Sequence, residues 1–206
     1  MASLFSDEEK ARVEAAVKDA EARTEGELVV VVSRRSDDYA EVRALLGFAC
    51  AMIAAFAAGR VASGIDAVLL VSIAGIVGVL GYLLGGLSPL LRLFAPRSLR
   101  EAKVDARTKQ LFVEEGVMET RGRSGVLIHL SEAEHLVEIL ADAGIHARVE
   151  PGHWAREVEA LTAAIAQGSA ADGLVESIGR IGALLAETFP RTEPRENQLD
   201  DALRER

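Results

Sequence analysis

The sequence predicts an α/β fold, a small mixed sheet flanked by helices, that is interrupted by a two-helix transmembrane hairpin. Residues 27–33 and 125–130 are short runs rich in β-branched and other apolar residues, which is typical of strands buried on both faces. Apolar residues at helical spacing precede and follow these runs. Between Arg43 and Arg92 the chain has only two charged residues. These observations together predict one domain and one membrane insertion.

The apolar segment contains two runs without charge, 16 residues at 44–59 and 25 residues at 67–91. A membrane-spanning helix needs about 20 apolar residues, so the second run is long enough by itself. The first becomes long enough if it continues to residue 62 with Arg60 at an interface. The alternative for the first run is a buried core helix. We predict spans over about 44–62 and 67–91.

Basic residues near the span ends predict the orientation of this hairpin. They are concentrated on the outer flanks, whereas the connecting loop has only Arg60. Positive charges favour the cytoplasmic side, so we expect a multi-pass protein of the cytoplasmic (inner) membrane with both termini in the cytoplasm. The N-terminus lacks the apolar core of a secretory signal peptide. The flanking basic residues are Arg34, Arg35, Arg43, Arg92, Arg97, Arg100 and Lys103.

The remaining elements follow in order along the chain. A capping-box pattern at Ser6 and Glu9 predicts a first helix that ends near Arg23. Helical spacing predicts three more helices after the hairpin. The short connection between the second strand and a third predicts an antiparallel pair. The predicted ranges are strands 27–33, 125–130 and 135–141, and helices around 104–112, 154–165 and 174–185.

The first strand has no partner before the hairpin, so its backbone groups require one after it. We therefore expect it to pair with the second and third strands, which places both flanks of the hairpin on one side of the membrane. The predicted domain parts are 1–43, the hairpin 44–91, and 92–190. The polar residues 191–206 are predicted to be a disordered tail.

Composition limits the classes of function. The net charge of −9 argues against nucleic-acid binding, which needs clustered basic groups. The single cysteine, Cys50, forms no intrachain disulfide. Common catalytic motifs are absent from the sequence, including the nucleophile elbow, the phosphate-binding loop and the zinc-protease helix.

Several segments, in this order, resemble the TPM domain family. They are TEGELVVVVS (24–33), RSGVLIHLS (123–131), HLVEILADAGI (135–145) and GSAADGLVESIGRIGALLAETFP (168–190). The long gap resembles the bacterial membrane subgroup, in which a transmembrane hairpin interrupts the domain. The resemblance implies a mixed sheet flanked by helices.

The same resemblance implies that calcium binding and, as in plant members, phosphatase activity are chemistries of the family, with acidic groups at loop ends of the sheet. In those members the loop before the second strand often has Asp or Asn just ahead of its glycine. Here the loop is Gly122-Arg123-Ser124-Gly125, so that acid is missing. Bound calcium or magnesium is therefore less expected, because hard cations need several oxygen ligands. We expect no cofactor.

Three residues are candidate binding groups at the end of the predicted sheet. Asp142 follows the third strand and is either a ligand group or a turn residue that hydrogen-bonds its own backbone. Glu27 opens the first strand and is either a second acid of the site or a solvated strand end. Arg123 would contact a phosphate. We predict no catalytic residue, and the metal ligands stay unknown.

Three histidines have alternative interpretations. His146 and His153 flank a Pro-Gly turn and could join Asp142 around a transition metal, but their spacing favours surface positions. His129 lies within an apolar strand, where a hydrogen-bonded core imidazole is expected.

The sequence favours a non-enzymatic interaction or assembly module at the membrane. The expected partners are the lipid bilayer and an unidentified membrane protein. In the glycine-rich second span Gly81 and Gly85 form a G-x-x-x-G motif, which permits close helix packing either within the hairpin or with a second copy of the chain. No nucleic acid is expected. The alternative is a divalent-cation-dependent phosphatase that uses Asp142 and Glu27 with Arg123.

Overall fold

The chain divides into two compact units. The computed structural model describes residues 4–61, 64–120, 122–150, 152–191, 199 and 201–206. One unit, here called the sheet domain, combines Met1–Arg34 with Lys103–Arg206, and the other, here called the hairpin unit, is Arg35–Ala102. The hairpin unit is thus longer at both ends than the predicted hairpin 44–91.

The sheet domain contains a mixed four-stranded sheet in the order β3-β2-β1-β4. β1 is parallel to both β2 and β4, and β2 is antiparallel to β3, which confirms the predicted mixed sheet and its antiparallel pair. The expected pairing of the first strand with the third is wrong, because β2 lies between them. The strands are β1 Glu27–Ser33, β2 Gly125–Ser131, β3 Leu136–Ala141 and β4 Arg204–Glu205.

Helices cover both faces of this sheet. Every residue of β1 and β2 is buried, as the β-branched runs predict. On one face Val30 and Ile128 pack in the core that includes Leu174 and Ile178, and on the other Val31 packs with Leu111. The helices are α1 Asp7–Glu21, α5 Arg97–Glu114, α6 Ala143–His146, α7 His153–Ala166 and α8 Ala170–Thr188, with a 3-10 turn at Val117–Glu119.

The end of the chain is ordered, contrary to the predicted disordered tail. The backbone N–H of Arg206 donates to Val32 O at 2.9 Å, so β4 extends the sheet beside β1. Arg204 and Arg206 both contact Glu115, and Leu203 is buried. A two-residue strand is too short to show a periodic pattern, and its residues are polar. The sequence therefore contains no indication of β4. Residues 192–198 and 200 of the predicted tail lie outside the described residues.

The hairpin unit contains α2 Ala40–Val61, α3 Ala67–Leu84 and the short α4 Ser88–Phe94. Asp66 caps α3 by accepting hydrogen bonds from the backbone of the first turn. The second apolar run, predicted as one span over 67–91, is divided into two helices. Gly85 and Gly86 form the turn, and Pro89 fits the first turn of a new helix because it needs no N–H partner there.

α2 and α3 pack closely through glycines. A Cβ at Gly47 would lie 2.8 Å from Gly78 O, and one at Gly81 would lie 2.8 Å from Cys50 Sγ. Gly81 of the predicted G-x-x-x-G motif therefore packs within the hairpin, whereas Gly75 has no heavy atom within 4 Å of its Cβ position. Gly59 of α2 likewise has no heavy atom within 4 Å of its Cβ position.

We predict that Gly47→Ala destabilises the protein by about 1–3 kcal/mol, because the new methyl group collides with a backbone carbonyl that cannot move independently. Gly59→Ala is the matched control in the same helix, and its effect should be neutral or slightly stabilising. Thermal unfolding of the detergent-solubilised protein measures both. Equal midpoints for the two variants would contradict the close packing of α2 and α3.

Candidate functional site

The loop that precedes β2 positions the first candidate residue, Arg123. Gly122 has φ 86° and Arg123 has φ 55°, so two consecutive residues adopt the left-handed conformation. The loop backbone packs against the start of α6, where a Cβ at Gly144 would lie 2.5 Å from Arg123 O. Gly144 therefore allows a close approach that any side chain would prevent. The approach brings Arg123 beside the residue that caps the start of α6.

That residue is Asp142, which is buried with 3% of its surface exposed. Its Oδ1 accepts a hydrogen bond from its neighbour Ala143 N at 2.6 Å, which confirms the turn interpretation. The same oxygen lies 3.0 Å from Arg123 Nε, an ion pair that the turn interpretation did not include. The guanidinium also donates to Met118 O at 3.3 Å. Arg123 is therefore committed to bonds within the domain.

Glu27 lies at the same end of the sheet. It pairs with Gly125 in the parallel register, and Asp142 N donates to Gly125 O at 2.9 Å, so Gly125 is the common neighbour of both acids. Glu27 is 5% exposed, and the expectation of a solvated strand end is therefore wrong. The sheet thus brings the three predicted candidates to one end.

Sequence analysis missed a further acid here, Glu21. Its Oε1 accepts a hydrogen bond from Leu28 N at 2.7 Å, which fixes the end of α1 to the start of β1. Burial raises the pKa of Glu21 to about 9, with further raising contributions from Glu27 and Asp201. The sequence did contain an indication that Glu21 faces the interior. Glu21 lies four residues after the buried Val17 and therefore on the same face of α1.

These residues do not fit a calcium or magnesium ion. Such an ion takes six or more oxygen ligands, and carboxylates supply them best when charged. Here the guanidinium of Arg123 already lies on Asp142 Oδ1, and the raised pKa of Glu21 favours its neutral form. Among the described residues no group of three or more His, Cys, Asp or Glu side chains could hold a metal ion, so His146 and His153 do not form the considered site with Asp142.

A second polar cluster is centred on His129 of β2, which is fully buried. Its Nδ1 lies 2.7 Å from Thr108 Oγ1 of α5, and its Nε2 lies 3.0 Å from Ser33 Oγ at the end of β1. Thr108 donates its hydroxyl hydrogen to Val104 O at 2.8 Å, which leaves Nδ1–H as the donor to Thr108 and Nε2 as the acceptor from Ser33. The expected core imidazole is confirmed.

The third feature is the surface of the hairpin unit. Of twenty exposed large hydrophobic side chains among the described residues, eighteen belong to this unit, and the others are Leu4 and Val113. α2 and α3 are long and apolar enough to cross a membrane, and both are mostly exposed.

Comparison with known proteins supports the fold. No protein-family model and no curated protein matches the chain. Among solved structures it is similar to the NMR structure of the BA42 protein from the psychrophilic bacterium Bizionia argentinensis sp. nov.. The match has a TM-score of 0.62 and 20% sequence identity, and it covers 100% of this chain and 97% of that chain. At this identity the similarity shows a shared mixed α/β architecture.

The buried imidazole predicts a pH dependence of stability. Burial, and then the charge of Arg107, lower the pKa of His129 from 6.5 to about 4, so the folded protein resists its protonation. As pH falls through this interval the unfolded chain binds the proton and the folded chain does not. The free energy of unfolding should therefore fall by about 3 kcal/mol between pH 6.5 and pH 4 through this residue.

Denaturant unfolding of the full chain, with His129→Gln compared to the wild type, measures this contribution. The wild type should lose its advantage over His129→Gln as pH falls, and contributions from groups distant from His129 largely cancel in the difference. His146→Gln is the control at an exposed histidine. A difference that stays constant with pH would contradict the prediction.

Proposed function

We propose that this chain is a multi-pass membrane protein resembling the bacterial membrane subgroup of the TPM family. In this proposal α2 and α3 cross the cytoplasmic membrane as a hairpin, and the sheet domain lies in the cytoplasm as a non-enzymatic interaction or assembly module. The exposed apolar surface of the hairpin unit is the observation that carries the proposal.

That surface is difficult to reconcile with water on all sides. Soluble proteins rarely expose contiguous apolar patches of more than a few hundred Å², and each large apolar side chain kept from water contributes about 1.5–3 kcal/mol. A core helix of a soluble protein is mostly buried, whereas α2 and α3 are mostly exposed. In a lipid bilayer the exposed apolar side chains of such helices are kept from water without any further protein contact.

The connectivity of the sheet supports two crossings. β1 precedes the hairpin and β2 follows it, yet the two strands pair over seven residues, from Glu27↔Gly125 to Ser33↔Ser131. Both flanks of the hairpin therefore belong to one folded domain on one side of any membrane. An even number of spans satisfies this requirement. The basic flanks favour the cytoplasmic side.

The contacts at the end of the sheet argue against a catalytic role for Asp142. Asp142 Oδ1 is held by Arg123 and by the backbone of Ala143, so this oxygen is committed to local structure, whereas Oδ2 is buried without a hydrogen-bond partner among the described residues. The alternative, a divalent-cation-dependent phosphatase, is favoured by one observation: Glu27, Arg123 and Asp142 do lie at the same end of the sheet.

Membrane insertion is tested by alkaline carbonate extraction of cell membranes. The wild type should stay in the membrane fraction, and Val79→Arg should shift toward the extract, because a charge near the bilayer centre costs about 3 kcal/mol. Val113→Arg in α5 is the matched control, since both valines are exposed, at 60% and 59%. If α3 lay in water, the two substitutions would have the same effect on extraction. A wild type that is extracted would contradict the proposal.

Orientation is tested separately with a reporter fused at Ser63, in the loop between the spans. We expect the reporter to be active outside the cytoplasm. A cytoplasmic reporter would overturn the proposed orientation.

The alternative function is tested with the detergent-solubilised full chain, a phosphomonoester substrate, and magnesium or calcium. We expect no hydrolysis that depends on Asp142, and no change in the thermal midpoint when either cation is added, because bound ligand would raise it by mass action. Hydrolysis or a midpoint shift that disappears in Asp142→Asn would favour the phosphatase over the interaction module.

A further inference from the structure

Two guanidinium groups meet at the C-terminal end of α3. Arg35, which precedes α2, donates from Nη2 to the carbonyl oxygen of Gly86. Arg43, in the first turns of α2, is beside the same glycine: a Cβ at Gly86 would lie 3.5 Å from its Nε and 3.6 Å from its Cζ. The absence of a side chain at Gly86 leaves room for both groups.

Arg43 is held in place from one side. Its guanidinium carbon lies 4.3 Å from the centroid of the Tyr82 ring, and its Nε donates to Tyr82 O at 3.4 Å. The carbonyl end of a helix carries partial negative charge, which favours cations there. The end of α3 and the ring of Tyr82 therefore hold the Arg43 guanidinium in place.

Most of the hydrogen-bonding capacity of both arginines remains. Among the described residues, the side chain of Arg43 donates a hydrogen bond only to Tyr82 O, and the side chain of Arg35 only to Gly86 O. Each guanidinium has five N–H donors. Acids are present on the same segment, at Asp37, Asp38 and Glu41, but neither arginine forms an ion pair with them. Two like charges side by side with free donors are a site for an anion.

The surroundings indicate which anion. The turn at Gly86 leads directly into α4, which buries Leu91 but exposes Leu93 and Phe94 at 72% and 49%. Leu87, just before α4, is also exposed. Tyrosines are enriched where a span meets the headgroup region, and Tyr82 lies in the last turn of α3. Charge for a phosphate and apolar surface for acyl chains thus occur together.

We propose that the phosphate of an anionic phospholipid binds between Arg35 and Arg43 at this end of the hairpin. Arginine suits this ligand because its planar fork can donate two hydrogen bonds to one phosphate. The inference rests on the proposed membrane insertion and adds a lipid headgroup as the ligand. With such a site the hairpin both anchors the protein and prefers membranes that contain anionic phospholipid.

Native mass spectrometry of the detergent-solubilised full chain tests the proposal, with phosphatidylglycerol and phosphatidylcholine of equal chain length as probes. The wild type should prefer phosphatidylglycerol. Arg35→Gln and Arg43→Gln should each weaken phosphatidylglycerol binding about tenfold, the effect of one lost charge-assisted hydrogen bond. Arg60→Gln, at the other end of α2, is the matched control and should bind as the wild type does. If Arg43→Gln does not fold, Arg43→Lys is used in its place. It keeps the positive charge but loses the planar fork of the guanidinium.

Three results would overturn the inference: no preference in the wild type, an equal preference in all variants, or displacement of the lipid by an equal concentration of glycerol phosphate, which would identify a soluble phosphate as the ligand. Carbonate extraction of the same variants separates this inference from the proposed function. A protein that stays in the membrane but shows no lipid preference contradicts the phospholipid site alone. A wild type that is extracted contradicts both.

Discussion

The parallel ladder between β1 and β2 is the constraint on which the rest of the structure depends. A buried strand must pair its backbone groups, and β1 can do so only with segments from the other side of the hairpin. This pairing joins the chain segments before and after the hairpin into one sheet domain. In the proposed membrane insertion, the same pairing requires the hairpin to return to the side of the membrane from which it started. One set of backbone hydrogen bonds thus determines the fold of the sheet domain and, in that proposal, the even number of spans.

Local sequence pattern predicts the interior of this fold well and its edges poorly. The β-branched run ELVVVVS coincides with β1, and helical spacing locates α7 and α8, because each of these segments buries a continuous face. β4 was missed, since two residues carry no period and its ordering depends on the distant Val32 and Glu115. The division of the second apolar run at Gly85 was also missed, because hydropathy does not distinguish one long helix from two shorter ones.

The candidate site shows the same limit at the level of single residues. The turn role of Asp142 was one of two predicted alternatives, because Asp before a tight turn has a local mechanism that sequence reveals. Its ion pair with Arg123 depends on the close approach of two loops, which Gly144 permits only in the folded chain. The burial of Glu27 and Glu21 is likewise a tertiary effect. A charged side chain is expected to be exposed to solvent. Only the packing of α1 against the start of β1 shows that these two glutamates are not.

The hydrogen bonds of His129 have a mechanical consequence. Ser33 is the last residue of β1 before the chain leaves for the hairpin, and Thr108 lies on α5, by which the chain returns. A force that pulled on the hairpin unit would reach the sheet domain along the chain through these two segments. His129 joins them through a single imidazole ring, so part of a pull on one segment would be transmitted to the other. The ring would thus act as a crosslink against shear between β1 and α5.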